Sequence, residues 1–158
     1  MVTKELEVFI QKHYIYFPYS GNIYKYRVGY VGSVRKDGYT NIRIKGKNFL
    51  RHRLCWFLYH GKWPKGQIDH INTDKKDDRI SNLREATQKE NTRNMSIHKD
   101  NSTGYKGVSI CNRTGKFRAR INVNRKEVHL GRFDTAEEAY ASYKTAAKLY
   151  FKEFARYM

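Results

Sequence analysis

The segment QIDHINTDKKDDRISNLREATQKEN, residues 67–91, sets Asp69 beside His70, then places Asn82 after a charged loop and Asn91 further on. Those residue types have a shared chemistry. An imidazole that titrates at roughly 6.5 is suited to take a proton from water at neutral pH. Carboxylate and amide oxygens are hard donors that suit Mg²⁺ or Mn²⁺ better than zinc. A base for water and a cation against charge developing on phosphate are what hydrolysis of a phosphodiester requires. His70 is therefore the candidate base, and Asp69 and Asn91 are the candidate metal ligands. Asn82 carries an amide able to brace the loop and orient the imidazole from behind.

These side chains need elements that converge. QIDHI reads as a short strand that delivers Asp69 and His70 to a loop, and ISNLRE reads as a second short strand or turn. Thr87 and Glu90 have the spacing of a capping box, so a helix opens at Thr87 and carries Asn91 one turn in. Upstream, Leu6, Phe9 and Ile10 form an apolar helical stripe after a Thr3 cap. The aromatic and β-branched runs YIYF, NIYKYR, YTNIRI and NFL follow, separated by glycine turns. RHRLCWFLYH, residues 51–60, places Leu54, Phe57 and Leu58 on one helix face, and Gly61 and Pro64 end it.

The pattern changes after a polar stretch, residues 96–104, which reads as a linker. YKGVSI (105–110), KFRARINV (116–123) and EVHLGRF (127–133) are three strands, with a hairpin signal at residues 112–115. Phe117, Ala119, Ile121 and Val123 alternate with Arg118, Arg120 and Asn122, giving one apolar face and one basic, amide-rich face. A helix then runs from DTAEEAY onward, capped by Asp134 or Thr135, with a stripe of Ala136, Ala139, Tyr140, Tyr143, Ala147 and Tyr150. Covering the apolar face with that helix leaves the arginines open. The expected class is α+β, with residues 1–95 as one domain and 105–158 as a small three-stranded antiparallel sheet packed on one helix.

Charge points to the partner. The 158-residue chain has 32 Lys and Arg against 15 Asp and Glu, a formal net charge of +17. Residues 1–100 carry 20 basic and 10 acidic groups and residues 101–158 carry 12 and 5, so both halves are positive. Such a field favours a polyanion, and double-stranded DNA fits it. Cys55 and Cys111 lack metal-site spacing and read as thiols of a reducing compartment. No apolar run reaches the length of a membrane span, and the N-terminus is no signal peptide, so a cytoplasmic monomer without a membrane partner is expected.

Residues 69–91, read as DHIN…DRISNLREAT…EN, resemble the HNH endonuclease motif, the ββα-metal site of many phage and intron homing endonucleases. HRLCWFLYHGKWP resembles the lead-in of the homing-type branch. The resemblance implies a metal aspartate at Asp69, the general base at His70, the middle structural residue at Asn82 and a metal ligand at Asn91. It departs at Asp78, where the pattern has asparagine. The C-terminal residues YKGVSI…GKFRARINV…KEVHLGRFDTAEEA resemble the Apetala/ethylene-response-factor type of DNA-binding domain over about fifty residues. That module lays its sheet in the major groove, which implies reader positions at Lys106, Ser109, Arg118, Arg120, Asn122, Glu127 and His129. Phe117, Ser109 and His129 stand where plant members have Trp, Arg and Trp, so their base preference does not transfer.

Other residues have plainer readings. His52 and His60 flank an apolar helix and read as structural. The tyrosines of residues 14–30 read as sheet packing, and Asp74, Asp77 and Asp78 as solvation of the loop. Two function classes remain: a metal-dependent DNA endonuclease targeted by its C-terminal module, and a DNA-binding regulator whose HNH half is an inactive scaffold. Only the first explains why Asp69, His70 and Asn91 occur together.

Overall fold

Thr3 is extended, and its hydroxyl accepts the Leu6 amide at 3.3 Å. That cap starts α1 (Lys4–His13), with Glu5 and Glu7 in the first turn and Lys12 and His13 in the last, as the helix dipole favours. Leu6 and Ile10 are buried and Phe9 packs beside them. The computed structural model describes residues 2–93 and 100–155. They divide into two compact units between Gln88 and Lys89.

In the first unit, β1 (Tyr14–Phe17), β2 (Asn22–Lys25) and β3 (Gly29–Val31) form one antiparallel sheet in sequence order. A second antiparallel sheet holds β4 (Ser33–Val34), β5 (Thr40–Ile44) and β6 (Lys47–Leu50). Along β5, Thr40, Ile42 and Ile44 are buried and alternate with Asn41 and Arg43, the period of a half-buried strand. Lys45 and Gly46 both have positive φ, which matches the twist of the β5–β6 hairpin.

The helix α2 (Arg51–His60) follows β6 directly and ends at left-handed Gly61, whose amide bonds the Phe57 carbonyl. Leu54, Cys55 and Phe57 are at most 1% exposed. Trp63 stacks on Phe57 at 4.5 Å between ring centres and donates its indole N–H to Glu7. That contact ties the end of α2 to α1. Next come β7 (Gln67–His70), a loop, a 3₁₀ turn at Ile80–Asn82 and β8 (Leu83–Ala86), which pairs antiparallel with β7. The helix α3 (Gln88–Arg93) begins immediately after Thr87 and carries Asn91 as its fourth residue.

The second unit has β9 (Val108–Ile110), β10 (Phe117–Val123) and β11 (Lys126–Phe133) in the order β11-β10-β9, all antiparallel. The helix α4 (Ala136–Phe151) opens with a full capping box between Thr135 and Glu138. Its Tyr143, Ala147 and Phe151 pack on Ile121 of β10. Tyr150, expected in that stripe, is 43% exposed. The buried positions step by four residues from Ala139 through Tyr143 and Ala147, which brings Phe151 inward.

Gly107 has φ +75, and a Cβ there would sit 2.2 Å from the Tyr143 ring, so only glycine lets the chain enter β9 under α4. Of the expected linker, residues 96–99 lie outside the described residues. In its remainder, the Asn101 side chain bonds the Tyr105 carbonyl and the Thr103 hydroxyl bonds the Val108 carbonyl. Those residues are fastened to the entry of β9.

The tyrosines of residues 14–30 divide. Tyr14 is buried, whereas Tyr19, Tyr26 and Tyr30 are 96%, 60% and 70% exposed, contrary to the packing expected of all of them. Tyr19 and Tyr26 lie in the turns between the strands, and Tyr30 lies on β3.

Candidate active site

The pairing of β7 with β8 sets Asp69 opposite Arg84. Asp69 is buried, and Arg84 grips its Oδ2 through Nε at 2.8 Å and Nη2 at 2.7 Å. His70 ends the strand, also buried at 4% exposure. Its Nε2 lies 2.8 Å from Asp78 Oδ1. The His52 ring meets the His70 ring edge-on at 5.2 Å, and the Tyr39 ring lies 6.0 Å away at a tilt. The imidazole is thus held by a carboxylate at one edge and by rings beside it.

Asp78 is not the solvating loop residue its neighbours suggested. It is 1% exposed. Arg51, the first residue of α2, donates Nε to Asp78 Oδ2 at 2.6 Å and reaches the Lys76 carbonyl with Nη2 at 2.8 Å. The Asp78 carbonyl accepts the Tyr16 hydroxyl at 2.8 Å. Gly21 makes this approach possible: with φ +74, it lies so near the Asp78–Arg79 backbone that a Cβ would fall 2.7 Å from it. Asp77, by contrast, is a local clamp. Its bonds from Arg79 hold its carboxyl down to about 2.

Asn82 braces the loop. Its Oδ1 accepts the Asn72 amide at 2.9 Å, and its Nδ2 donates to Asn72 Oδ1 at 2.9 Å and to the Asp77 carbonyl at 2.7 Å. One amide therefore staples both ends of the Asn72–Asp77 loop. Asn91 sits half-buried on α3, with the second unit by contact.

His52, His70 and Asp78 are the three ligand-type side chains whose donor atoms lie within 4.8 Å of one another among the described residues. They are a possible holder for a cation. Burial pushes His52 down to about 4, with His70, Arg53 and Arg51 acting in the same sense and Asp78 against them. Its neutral imidazole is the form that binds metal.

On the second unit, the basic strand face follows the register. Ser109, Arg118 and Arg132 make one cross-strand row, Arg120 and His129 a second, and Asn122 and Glu127 a third. Arg120 also pairs diagonally with Glu127 at 3.0 Å. Lys106 lies in the turn before β9. Ser109 Oγ and Arg118 Nε are buried atoms without a hydrogen-bond partner in the structure.

Arg132 is absent from the sequence-derived set, because strict alternation from His129 would turn it inward. A β-bulge between Ala119 and Arg120 skips Leu130 and reverses the parity. Gly131, at φ +135, was the signal in the sequence. Arg51 and Arg84 were missed for a different reason: nothing local joins either to its partner across 27 and 15 residues.

Residues 49–93 match the HNH endonuclease family. Protein 3.8 of Escherichia phage T7 is 34% identical over 108 residues, which cover 68% of this chain and 88% of that protein. An uncharacterized HNH endonuclease, L560, of Acanthamoeba polyphaga mimivirus is 31% identical over 121 residues, 76% of this chain and 62% of that protein. Among solved structures, the HNH homing endonuclease I-HmuI, in a study of its DNA binding and cleavage, superposes with TM-score 0.44 and 28% identity. That match covers 54% of this chain and 56% of I-HmuI.

The chain carries an HNH endonuclease domain over residues 49–93 and belongs to the same family as protein 3.8 of phage T7, and its enzyme class is that of a nuclease. Among the described residues, no helix is long and apolar enough to cross a membrane.

Proposed function

We propose that the protein is a divalent-metal-dependent DNA endonuclease with a ββα-metal site, directed to duplex DNA by a C-terminal sheet of the Apetala/ethylene-response-factor type. The observation that carries this reading is the placement of buried Asp69 and His70 at the end of β7, in a hairpin followed at once by α3 with Asn91. His70 takes the proton from the attacking water. Asn82 keeps the Asn72–Asp77 loop in the shape that presents the ring.

Asp69 and Asn91 offer hard oxygens that fit Mg²⁺ or Mn²⁺. A divalent cation would stabilise the charge that develops on the phosphate. The His52–His70–Asp78 set is richer in nitrogen and fits zinc better. The Arg51 guanidinium on Asp78 opposes a second positive charge at that point. On the second unit, Arg118, Arg120, Asn122 and Arg132 face DNA with Ser109, Glu127, His129 and Lys106 around them; the two functions are assigned to residues 1–95 and 105–158, although the compact units divide between Gln88 and Lys89.

One observation favours the second reading, a DNA-binding regulator on an inactive scaffold: Arg84 already occupies Asp69 Oδ2. Incubation of the purified protein with supercoiled plasmid separates the two. The nuclease reading expects nicked or linear product with Mg²⁺ or Mn²⁺, none in EDTA and none from His70→Ala. Retained DNA binding without cleavage in either metal would favour the regulator.

A further inference from the structure

We infer that Asp78 is a positioning residue for His70: it fixes which ring nitrogen carries the proton and leaves Nδ1 as the basic atom. The inference rests on the nuclease reading for its catalytic meaning and on geometry for its substance. His70 Nε2 is 2.8 Å from Asp78 Oδ1. An ionised carboxylate only accepts, so Nε2 is the donor in that bond and the lone pair belongs to Nδ1.

The carboxylate itself is not free to turn. Arg51 Nε holds Oδ2 at 2.6 Å, the Tyr16 hydroxyl holds the Asp78 carbonyl, and the Gly21 backbone leaves no room behind residues 78–79. Arg51 is anchored in turn, through Nη1 to Asn22 Oδ1 at 3.4 Å and through Nη2 to the Lys76 carbonyl at 2.8 Å. The His52 ring lies edge-on to the imidazole at 5.2 Å.

The arrangement makes Asp78→Asn a sharper probe than alanine, because shape is kept. Arg51 must still donate to an oxygen, and its charge-assisted bond outweighs a neutral one. The amide oxygen therefore turns to Arg51 and the NH₂ turns to His70. Nε2 must then accept, the proton moves to Nδ1, and the base is lost without any change in packing.

The experiment combines ¹⁵N spectroscopy of the imidazoles, with His70 assigned by its absence in His70→Gln, and plasmid-cleavage kinetics on the full chain. At mildly alkaline pH, wild-type His70 should carry its proton on Nε2, and Asp78→Asn should reverse this. The same variant should lower kcat by roughly 10²–10⁴-fold, the range for loss of a general base, while KM for DNA stays unchanged. A wild-type His70 protonated on Nδ1 overturns the inference without any variant, as does Asp78→Asn cleaving at the wild-type rate. A wild type that cuts nothing in Mg²⁺ or Mn²⁺ removes the nuclease reading instead, and the tautomer measurement still decides the link between Asp78 and His70.

Discussion

Asp69 and Arg84 meet at 2.7 Å with 5% and 14% of their side chains exposed, whereas Arg120 and Glu127 meet at 3.0 Å with 53% of the glutamate and 44% of the arginine exposed. The contacts are nearly the same length and the chemistry is the same. What differs is water. Around β7 and β8 the charges are closed in and each is held by a named partner, so the groups keep one arrangement. Across β10 and β11 the charges lie on an open face, where water screens the Arg120–Glu127 pair. The first unit encloses its paired charges, and the second leaves its own open to solvent.

The sharpest way to break this contrast is at His70. His70→Ala should reduce plasmid cleavage by roughly 10²–10⁴-fold and leave DNA binding intact, because the base is lost and the basic face is not. Gel shift beside cleavage kinetics reads both, and full activity would remove His70 from its role. Next is the buried pair: Arg84→Ala leaves a buried carboxylate without its cation neighbour and should cost about 3–5 kcal/mol in urea unfolding. Arg120→Ala should cost no more than about 1 kcal/mol in the same assay, as an exposed pair does. Equal losses would erase the distinction between the units.

Acid should strike the first unit before the second. His52 titrates at about 4 in the fold and 6.5 when unfolded, so the unfolded chain binds the extra proton as pH falls from 6.5 toward 4. Stability contributed by keeping this ring neutral is present above that window and lost through it, on the order of 3 kcal/mol. Thermal melts across the window should show this slope, and His52→Gln should flatten it.

The smallest effect on stability, and the most informative about DNA, comes from Arg118→Ala with Arg120→Ala. Unfolding should shift by no more than about 1 kcal/mol, as for Arg120→Ala alone. Duplex affinity should fall, with the salt slope reduced by about one for each phosphate contact removed. A loss limited to some sequences would mark the pair as base readers.

Several elements could be read from the chain because local rules decide them. The Thr3 cap, the Leu6–Ile10 stripe, the Gly61 stop and a cap at Asp134 or Thr135, which the structure places at Thr135, are each settled within one or two turns of helix. The β10 alternation needs only neighbours two residues apart, so its apolar and basic faces were legible too. Tyr150 failed because a four-residue step along α4 favours Phe151, and Arg132 failed because one bulge reverses parity. Both errors accumulate along an element and lie beyond the reach of a local pattern.

At the site, the sequence by itself determined the candidates: Asp69 and His70 at a strand end, Asn82 in the loop, Asn91 on a helix. It also determined that both halves are basic. Only the tertiary structure decided how Asp69 and His70 are held. Arg84 reaches Asp69 through strand register, and Arg51 and Asp78 meet across 27 residues because α2 and the loop both pack against Gly21. A buried charge is costly unless a partner arrives with it. Which partner arrives depends on distances that the folded chain sets and that order along the sequence does not encode.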